Sequence, residues 1–456
     1  MVSLRVSRIL HAGYIFENQC VRIAFDPVFE NPFSRNCFSF PSIKFDQAKI
    51  RSEKFDAIFI SHYHDDHCSL ESLNLLDRRT PIYMYSVHDE FFSLIRELGF
   101  TQVFPLRLNS TIELGPFIIT TYPALDRDVD SIFQIESGGV NILNVVDSWI
   151  DPETFDVLKK KNAWHLILWP FQTMREMEIL SPSRYGLKSG RGTALDWPSE
   201  WIEQLKSLKP QWIVPSSCQF KFEDWSWQNQ FYFPISYQYF EQLMCENLPE
   251  TKVIRINPGN RFSTDGHVMT QVESIKWIHP VGDQNADYSF TLEQLIPTTA
   301  AVAQKFKSIT DQQKKLIVDY CQTGLALKYK SFDHAESEYF AIPRKWKLSI
   351  FDHDGSGIYF FYKIGDGSIE SIEPTAETDL EWTTEIPLSK FFSALHEGES
   401  LSSMYVRIND QRFSQSVESE LKTIDFLEDP LLRCLFSANV ASYQKSQLQK
   451  IKNQPV

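Results

Sequence analysis

The stretch Phe55-Asp56-Ala57-Ile58-Phe59-Ile60-Ser61-His62-Tyr63-His64-Asp65-Asp66-His67 constrains this chain more than any other. Ala57 to Ile60 is an apolar run too short for a helix, and it reads as a buried strand ending at Ser61. Three imidazoles and two carboxylates follow at once, the donor types that zinc, iron and manganese accept. His62 and His64, two apart, project to one side of an extended segment, while Asp66 and His67, beyond the bend, turn toward a second position. So many ionisable groups at the end of a core strand cost desolvation and mutual repulsion unless a cation neutralises them. A solvated surface loop that happens to be rich in histidine is the plainer alternative. The His-x-His-x-Asp-His spacing directly after an apolar strand favours a metal site.

The 456 residues suffice for two or three domains and a substantial core. A formal charge of −14 argues against a general nucleic-acid binder, because phosphate contacts need a basic surface; a local basic patch stays open. Cys20, Cys37, Cys68, Cys218, Cys245, Cys321 and Cys434 are odd in number and scattered, the pattern of reduced thiols. Met1 to Phe16 lacks the pattern of a signal peptide, and no run of about 18 apolar residues could span a bilayer. The expectation is a soluble cytoplasmic protein acting on a small-molecule substrate, with no nucleic acid or membrane as partner and homo-oligomerisation left open.

Along the chain, Leu4 to Leu10, Gly13 to Glu17 and Cys20 to Phe25 read as strands, with Asn18-Gln19 as a tight turn and Asp26-Pro27 as a stop. Helix and strand then alternate, including an amphipathic helix over Glu90 to Leu98 and a hairpin of Ser131 to Ile135 with Val140 to Val146. Turn residues between Lys276 and Asp287 mark a boundary. Residues 1–278 are expected to form the metal-binding domain and 288–456 a smaller α+β accessory domain. The latter is read as helical from about 290 to 326, a hairpin of Trp346 to Phe351 with Gly357 to Lys363, helical segments over Ser389 to His396 and Ser416 to Gln449, and a strand at Met404 to Ile408. His11, near the edge of the first strands, is more often a backbone-satisfied histidine than a functional one.

The motif Ile60-Ser61-His62-Tyr63-His64-Asp65-Asp66-His67 resembles that of the metallo-β-lactamase superfamily. The resemblance implies an αββα sandwich with one or two metal ions along one edge of two facing sheets. It also implies that Asp147, at the end of the apolar strand Asn141 to Val146, bridges the metals. Asp26 is either a support for the metal loop or a turn residue before Pro27. Within the superfamily the chain looks most like the CMP-N-acetylneuraminate hydroxylase group, through that motif, Asp130-Ser131-Ile132-Phe133, Ile142 to Asp147 and Asn257-Pro258-Gly259, with a weaker likeness at Met404 to Ile408 and Glu428-Asp429-Pro430. It lacks the Cys and His pairs of a Rieske centre.

Two positions depart from the superfamily pattern. The third histidine of the first site is expected near Asp126, where none stands; Asp126 is the best substitute, with Asp128 and Asp130 behind it. The last histidine of the second site is replaced by Ser216-Ser217-Cys218, where Cys218 either ligates or, more in keeping with its type, is a buried thiol. The implied ligand sets are His62, His64 and Asp126, and Asp66, His67 and Asp147, holding one or two divalent ions of zinc, iron or manganese.

The expected activity is hydrolysis by a metal-activated hydroxide, with Asp66 and His67 also handling the proton of the attacking water. Lys188 and Arg191, in a glycine-flanked loop, would meet an anionic substrate, against the plainer reading of solvated surface charges. A non-haem iron oxidase or oxygenase is the second reading, and a degenerate metal-binding or scaffold module the third. The aromatic cluster Trp225-Ser226-Trp227 with Phe231-Tyr232-Phe233 reads as packing ahead of ligand stacking.

Overall fold

In the computed structural model, residues 3–161, 163–185, 197–289, 296–331, 339–365, 367–421, 424, 428–437 and 440–453 are described. Leu4–Arg8, Tyr14–Asn18 and Val21–Phe25 form an antiparallel meander, and Gln19 takes a left-handed φ of 54° in its second turn. Val21–Phe25 then runs parallel to Ala57–Ile60, which leads to Ile82–Met84 and Val103–Pro105; Arg261–Thr264 and Met269–Val272 complete eight strands at the other edge. A second sheet of seven strands takes the order Lys252–Val253, Trp212–Ser216, Leu166–Pro170, Val140–Asn144, Ser131–Ser137, Phe117–Pro123 and Ser110–Leu114.

The two sheets face each other. Val6, Phe16, Phe25 and Phe59 of the first share one buried cluster with Ile119, Phe133, Ile142 and Leu168 of the second. Their outer faces carry helices. Ile58 and Met84 pack with Leu73, Phe91 and Ile95 on one side, and Ile167 and Ile213 with Trp201, Leu205 and Phe240 on the other. This is the αββα sandwich that the sequence resemblance implies. Ala57–Ile60 is buried at every position, because a parallel strand inside such a sandwich has core on both faces; hence its unbroken apolar run.

A separate core surrounds a five-stranded sheet in which Arg344–Phe351 pairs antiparallel with Gly357–Gly365 and parallel with Trp382–Pro387. Helices Asp311–Asp319 and Leu388–His396 lie against it. Of the strand expected over Met404 to Ile408, only Arg407–Ile408 joins the sheet. Tyr405 turns left-handed at φ 52°, and its hydroxyl donates to Glu223 and accepts from Asn36 Nδ2, so the chain leaves the ladder there. The long helical stretch expected over Ser416 to Gln449 is interrupted: Gln415–Glu420, Pro430–Leu432 and Ser442–Asn453 are separate α-helices. Asp429 starts the second by accepting from Leu431 N and Leu432 N.

Several contacts tie the connecting segment and the second unit to the first. Ile278–Pro280 pairs with Ile43–Phe45, and the Asp287 carboxylate accepts from Tyr237 N and Gln238 N. Leu448, on the last helix, belongs to the core of the first unit. From the same helix Gln444 Nε2 donates to Tyr63 O (3.0 Å) and Cys68 O (3.1 Å), while Gln447 Oε1 accepts from Leu70 N (2.8 Å). The end of the described chain therefore grips the backbone of the histidine loop. Of the Trp225 to Phe233 aromatics, Trp227 packs at this junction, donating to Ile179 O and clustering with Phe231, Tyr405 and Val302, while Tyr232 also lines the pocket described below. All seven cysteines are free thiols. No helix among the described residues is long and apolar enough to cross a membrane.

One buried acid supports the histidine loop from below. Glu30 accepts from the hydroxyls of Ser69 and Ser72, and Ser69 caps the helix Leu70–Leu73 just after His67. Burial pushes the Glu30 carboxyl up to about 7, against the downward pull of the two serines. A carboxyl whose folded pKa is raised favours the native state while protonated, and it loses that advantage as pH climbs from its unfolded value near 4.5 to about 7. Glu30→Gln keeps an acceptor and cannot ionise. It is expected to leave stability at pH 5 nearly unchanged and to raise it at pH 8 by about 1–3 kcal/mol, discounted for the acid's partial exposure. Denaturant unfolding at the two pH values measures this.

Candidate metal centre

The ends of Ala57–Ile60, Val140–Asn144 and Trp212–Ser216 reach one edge of the sandwich, and the loops that follow converge there with the turn after Leu4–Arg8. Two groups of side chains meet. His62, His64 and Asp66 form one, and His11, Asp66, His67 and Asp147 the other, with the donor atoms of each group within 4.8 Å of one another. Asp66 belongs to both. His62 Nε2 faces His64 Nδ1 at 3.1 Å, and His67 Nε2 lies 2.9 Å from Asp147 Oδ2 and 3.1 Å from His11 Nε2.

The ring orientations follow from hydrogen bonds behind them. Ser61 Oγ donates to Asp26 Oδ2 at 2.8 Å, so at 2.9 Å it accepts from His62 Nδ1, leaving Nε2 of that ring as the lone-pair atom toward the cluster. Asp26 also receives Ser61 N at 2.7 Å and stands 3.2 Å from His67 Nδ1, so it fixes His67 in the same way. Asp26 thus supports the metal loop in addition to ending its strand. Gly13 makes this approach feasible, since a Cβ there would sit 2.8 Å from Asp26 O and 2.9 Å from Leu10 O.

The backbone around the cluster is bent into sparsely populated conformations. His11 (φ 53°), Asp26 (40°), Val146 (64°), Ser217 (56°) and Cys218 (47°) are all left-handed, and the branched Val146 is the costliest of them. His11 aims its own ring at the cluster and Val146 precedes Asp147, while Cys218 contributes its backbone N–H to His11 Nδ1. Arg8, fully buried, holds two of these loops: its guanidinium donates to His11 O, Pro215 O and Ser217 O, and also to Ile256 O, with no carboxylate hydrogen-bond partner among the described residues.

These residues fit a bound cation. Imidazole nitrogens facing each other at 3.1 Å need a proton or a metal between them, and the donors are nitrogen and carboxylate oxygen, the set divalent transition metals take. Burial, with His67 and His64 beside it, pushes the His62 imidazole well below its usual range, leaving a free lone pair at neutral pH. Burial alone would raise Asp147; His67, His11 and His62 hold it well below the usual carboxylate range. Asp130 Oδ1 and Asp65 Oδ2 are buried with no hydrogen-bond partner among the described residues, further acceptor capacity at the same place.

Of the residues expected from sequence, His62, His64, Asp66, His67 and Asp147 come together. Asp126 does not. It is exposed at the start of a turn, its carboxylate accepting from Asp128 N and its carbonyl from Asp130 N. That turn carries Asp130 back to the edge, 3.6 Å from His62 Nδ1, where burial, with Asp147 nearby, pushes its carboxyl up to about 6. Lys188 and Arg191 lie outside the described residues. Cys218 is buried, its thiol beside Met174 Sδ at 3.4 Å, and it acts through its backbone, whose N–H donates to His11 Nδ1 at 2.9 Å. With Nδ1 so occupied, neutral His11 carries its proton on Nε2 and directs it at Asp66 Oδ2 (3.2 Å) and Asp147 Oδ2 (3.5 Å). His11, a member of the second group, and Asp130, which stands behind the His62 ring, are the residues that sequence reasoning set too low; the place of His11, just past a strand ending at the same sheet edge, was the available signal.

No family profile and no curated protein matches this sequence. Solved structures do resemble it in three dimensions. Igni18, a metallo hydrolase from the archaeon Ignicoccus hospitalis, is 20% identical with a TM-score of 0.40, covering 57% of this chain and 98% of its own. YhfI from Bacillus subtilis, a metallo-β-lactamase fold protein, is 14% identical (TM-score 0.38; 58% and 100%). CmlA from Streptomyces venezuelae, a diiron β-hydroxylase, is 15% identical (0.37; 58% and 54%), so the present chain spans about half of that protein. The architecture is the metallo-β-lactamase fold. Facing mixed sheets with helices outside, and a His-x-His-x-Asp-His loop at the end of an inner parallel strand, carry that assignment.

Above the cluster lies a pocket of about 410 Å³. Its floor includes His62, His64, Asp66 and Asp147, and its walls come from both units of the chain. The second unit is thus part of the site.

Proposed function

We propose that this chain is a metal-dependent hydrolase of a small-molecule substrate. The observation that carries the reading is Asp66: one carboxylate shared by two imidazole-containing ligand groups at the floor of a pocket. His62, His64 and Asp66 would hold one divalent ion, and Asp66, His67 and Asp147, with His11 beside them, a second. Such an ion lowers the pKa of water from about 15.7 to about 7 and polarises the oxygen of the bond under attack. The chain's own residues do the rest. Asp26 and Ser61 keep the His62 and His67 rings in the ligating orientation, and Arg8 holds the loops of His11 and Ser217 in place. The Asp66 carboxylate, which His11 Nε2 faces at 3.2 Å, is the group placed to take the proton of the attacking water.

One feature favours a second reading, an iron-dependent oxidase or oxygenase: His62, His64 and Asp66 are two histidines and one carboxylate, the set non-haem iron oxygenases use. Elemental analysis of protein purified without added metal, followed by chelation and reconstitution, separates the two. Zinc or manganese near one or two equivalents, with ester, lactone or phosphodiester hydrolysis lost on chelation and restored by metal, is the expected result. Stoichiometric iron with dioxygen uptake moves the assignment to the second reading, and failure to bind any metal after reconstitution overturns both.

A further inference from the structure

The pocket over the ligand cluster is chemically two-sided. Its floor is acidic and metal-ligating, with Asp65, Asp66, Asp130 and Asp147 all opening onto it. Much of the rest of its lining is apolar: Met174, Met177, Leu180 and Phe220, with Leu401 and Val406 of the second unit, the last packed in the same cluster as Met177 and Leu180. No lysine or arginine is among the described residues that line it. Two divalent ions would bring four positive charges against those four carboxylates, so the floor offers no surplus of positive charge to a free anion.

The wall from the second unit is fixed in place. Gln228 Nε2 donates to Ser402 O at 2.8 Å, Asn36 Nδ2 to the same carbonyl at 3.2 Å, and Tyr405 is held by Asn36 and Glu223. The left-handed turn at Tyr405 that removes this segment from its sheet is what leaves Val406 against the pocket. Leu401, 38% exposed, is the water-accessible apolar side chain that the second unit adds to this lining. The methionines of the lining are unbranched and adaptable, suited to an apolar group of variable shape. A volume near 410 Å³ is at the small end of ligand pockets, which run from about 300 to 1000 Å³.

We propose that the substrate carries a compact, uncharged alkyl or aryl substituent, held against the apolar lining that the Met174–Leu180 segment and Leu401 and Val406 supply together, with its polar reacting group toward Asp66 and Asp147. This rests on the hydrolase reading for the reacting group and on the walls alone for the substituent. Leu401 and Val406 are then specificity-determining residues supplied by the second unit.

The test is calorimetric binding of neutral methyl ketones, from 2-butanone to 2-octanone, to the metal-loaded protein. These have an oxygen for the floor and no bond to hydrolyse. Affinity is expected to rise about threefold to fourfold per added methylene until the pocket is filled. Leu401→Arg, at a partly exposed position, should flatten that dependence and weaken 2-octanone at least tenfold, at unchanged metal content and unfolding temperature; Leu401→Met should retain it. A flat series in the wild type, or an unaltered series in Leu401→Arg, overturns the proposal. If ketones bind as expected and no ester, lactone or phosphodiester is hydrolysed, the hydrolase reading falls and this one stands; hydrolysis with a flat ketone series does the reverse.

Discussion

Asp66→Ala is expected to empty both metal positions and abolish metal-dependent turnover, whereas removing a ligand of one group leaves the other. Its carboxylate is the single donor common to His62, His64 and Asp66 and to His11, Asp66, His67 and Asp147. Loss of a mere outer partner of a metal ligand costs about 10–100-fold in affinity or activity, so a shared direct ligand should exceed that range. His64→Ala serves as the comparison, expected to lower metal content by about one equivalent where two are bound. Asp126→Ala and Asp130→Ala complete the series and separate two residues that the sequence ranks in the opposite order. Asp126 is exposed and occupied with its own turn, so its variant should bind metal as the wild type does. Asp130 is 3.6 Å from His62 Nδ1, so its variant should bind metal more weakly. Elemental analysis of the four purified variants, with a hydrolysis assay beside it, reads all of this. Full metal content in Asp66→Ala would refute the shared-ligand geometry.

Arg8→Met should be the most destabilising single substitution near the site. The guanidinium is buried, and its donors satisfy the carbonyls of His11, Pro215, Ser217 and Ile256. Methionine fills most of the volume and donates to none of them. Hydrogen bonds from a charged donor contribute about 1.5–3 kcal/mol each, part of which is returned because the charge itself is no longer buried. A net loss of about 3 kcal/mol, or roughly 6–12 °C in Tm for a unit of this size, is expected. Metal affinity should fall with it, since the His11 and Ser217-Cys218 loops lose their common anchor. Arg8→Lys keeps the charge but not the fork, and should fall between the two. An Arg8→Met protein with wild-type Tm would show that water or backbone rearrangement satisfies those carbonyls, and that the loops hold their shape without the arginine.

The candidate site was legible where its residues are neighbours in the chain. His62, His64, Asp66 and His67 follow one apolar strand, and a strand of that composition can only be buried, so its end has to present them at a sheet edge. Asp147 was readable one step further, through the resemblance that places an aspartate after a neighbouring strand. Asp130 and His11 were not. Which of Asp126, Asp128 and Asp130 turns inward depends on how one tight turn closes, and a shift of two residues reverses inside and outside. His11 reaches Asp66 and Asp147 only because its backbone is left-handed and Arg8 and the Cys218 N–H hold it there, across more than two hundred residues of intervening chain.

By itself, the sequence determined a buried strand with a metal-ligand motif at its end, because an unbroken apolar run marks an inner parallel strand, and the resemblance carried by that motif implied the sandwich. Only the tertiary structure decided that Asp66 is shared, that Asp130 and not Asp126 faces His62, and that the second unit is a wall of the pocket. Those outcomes rest on contacts such as Gln444 to the Tyr63 and Cys68 carbonyls and Gln228 to the Ser402 carbonyl. Polar pairs of this kind join residues more than 150 positions apart, and they form because burial leaves each group no water to turn to, a condition that exists only once the whole chain has packed.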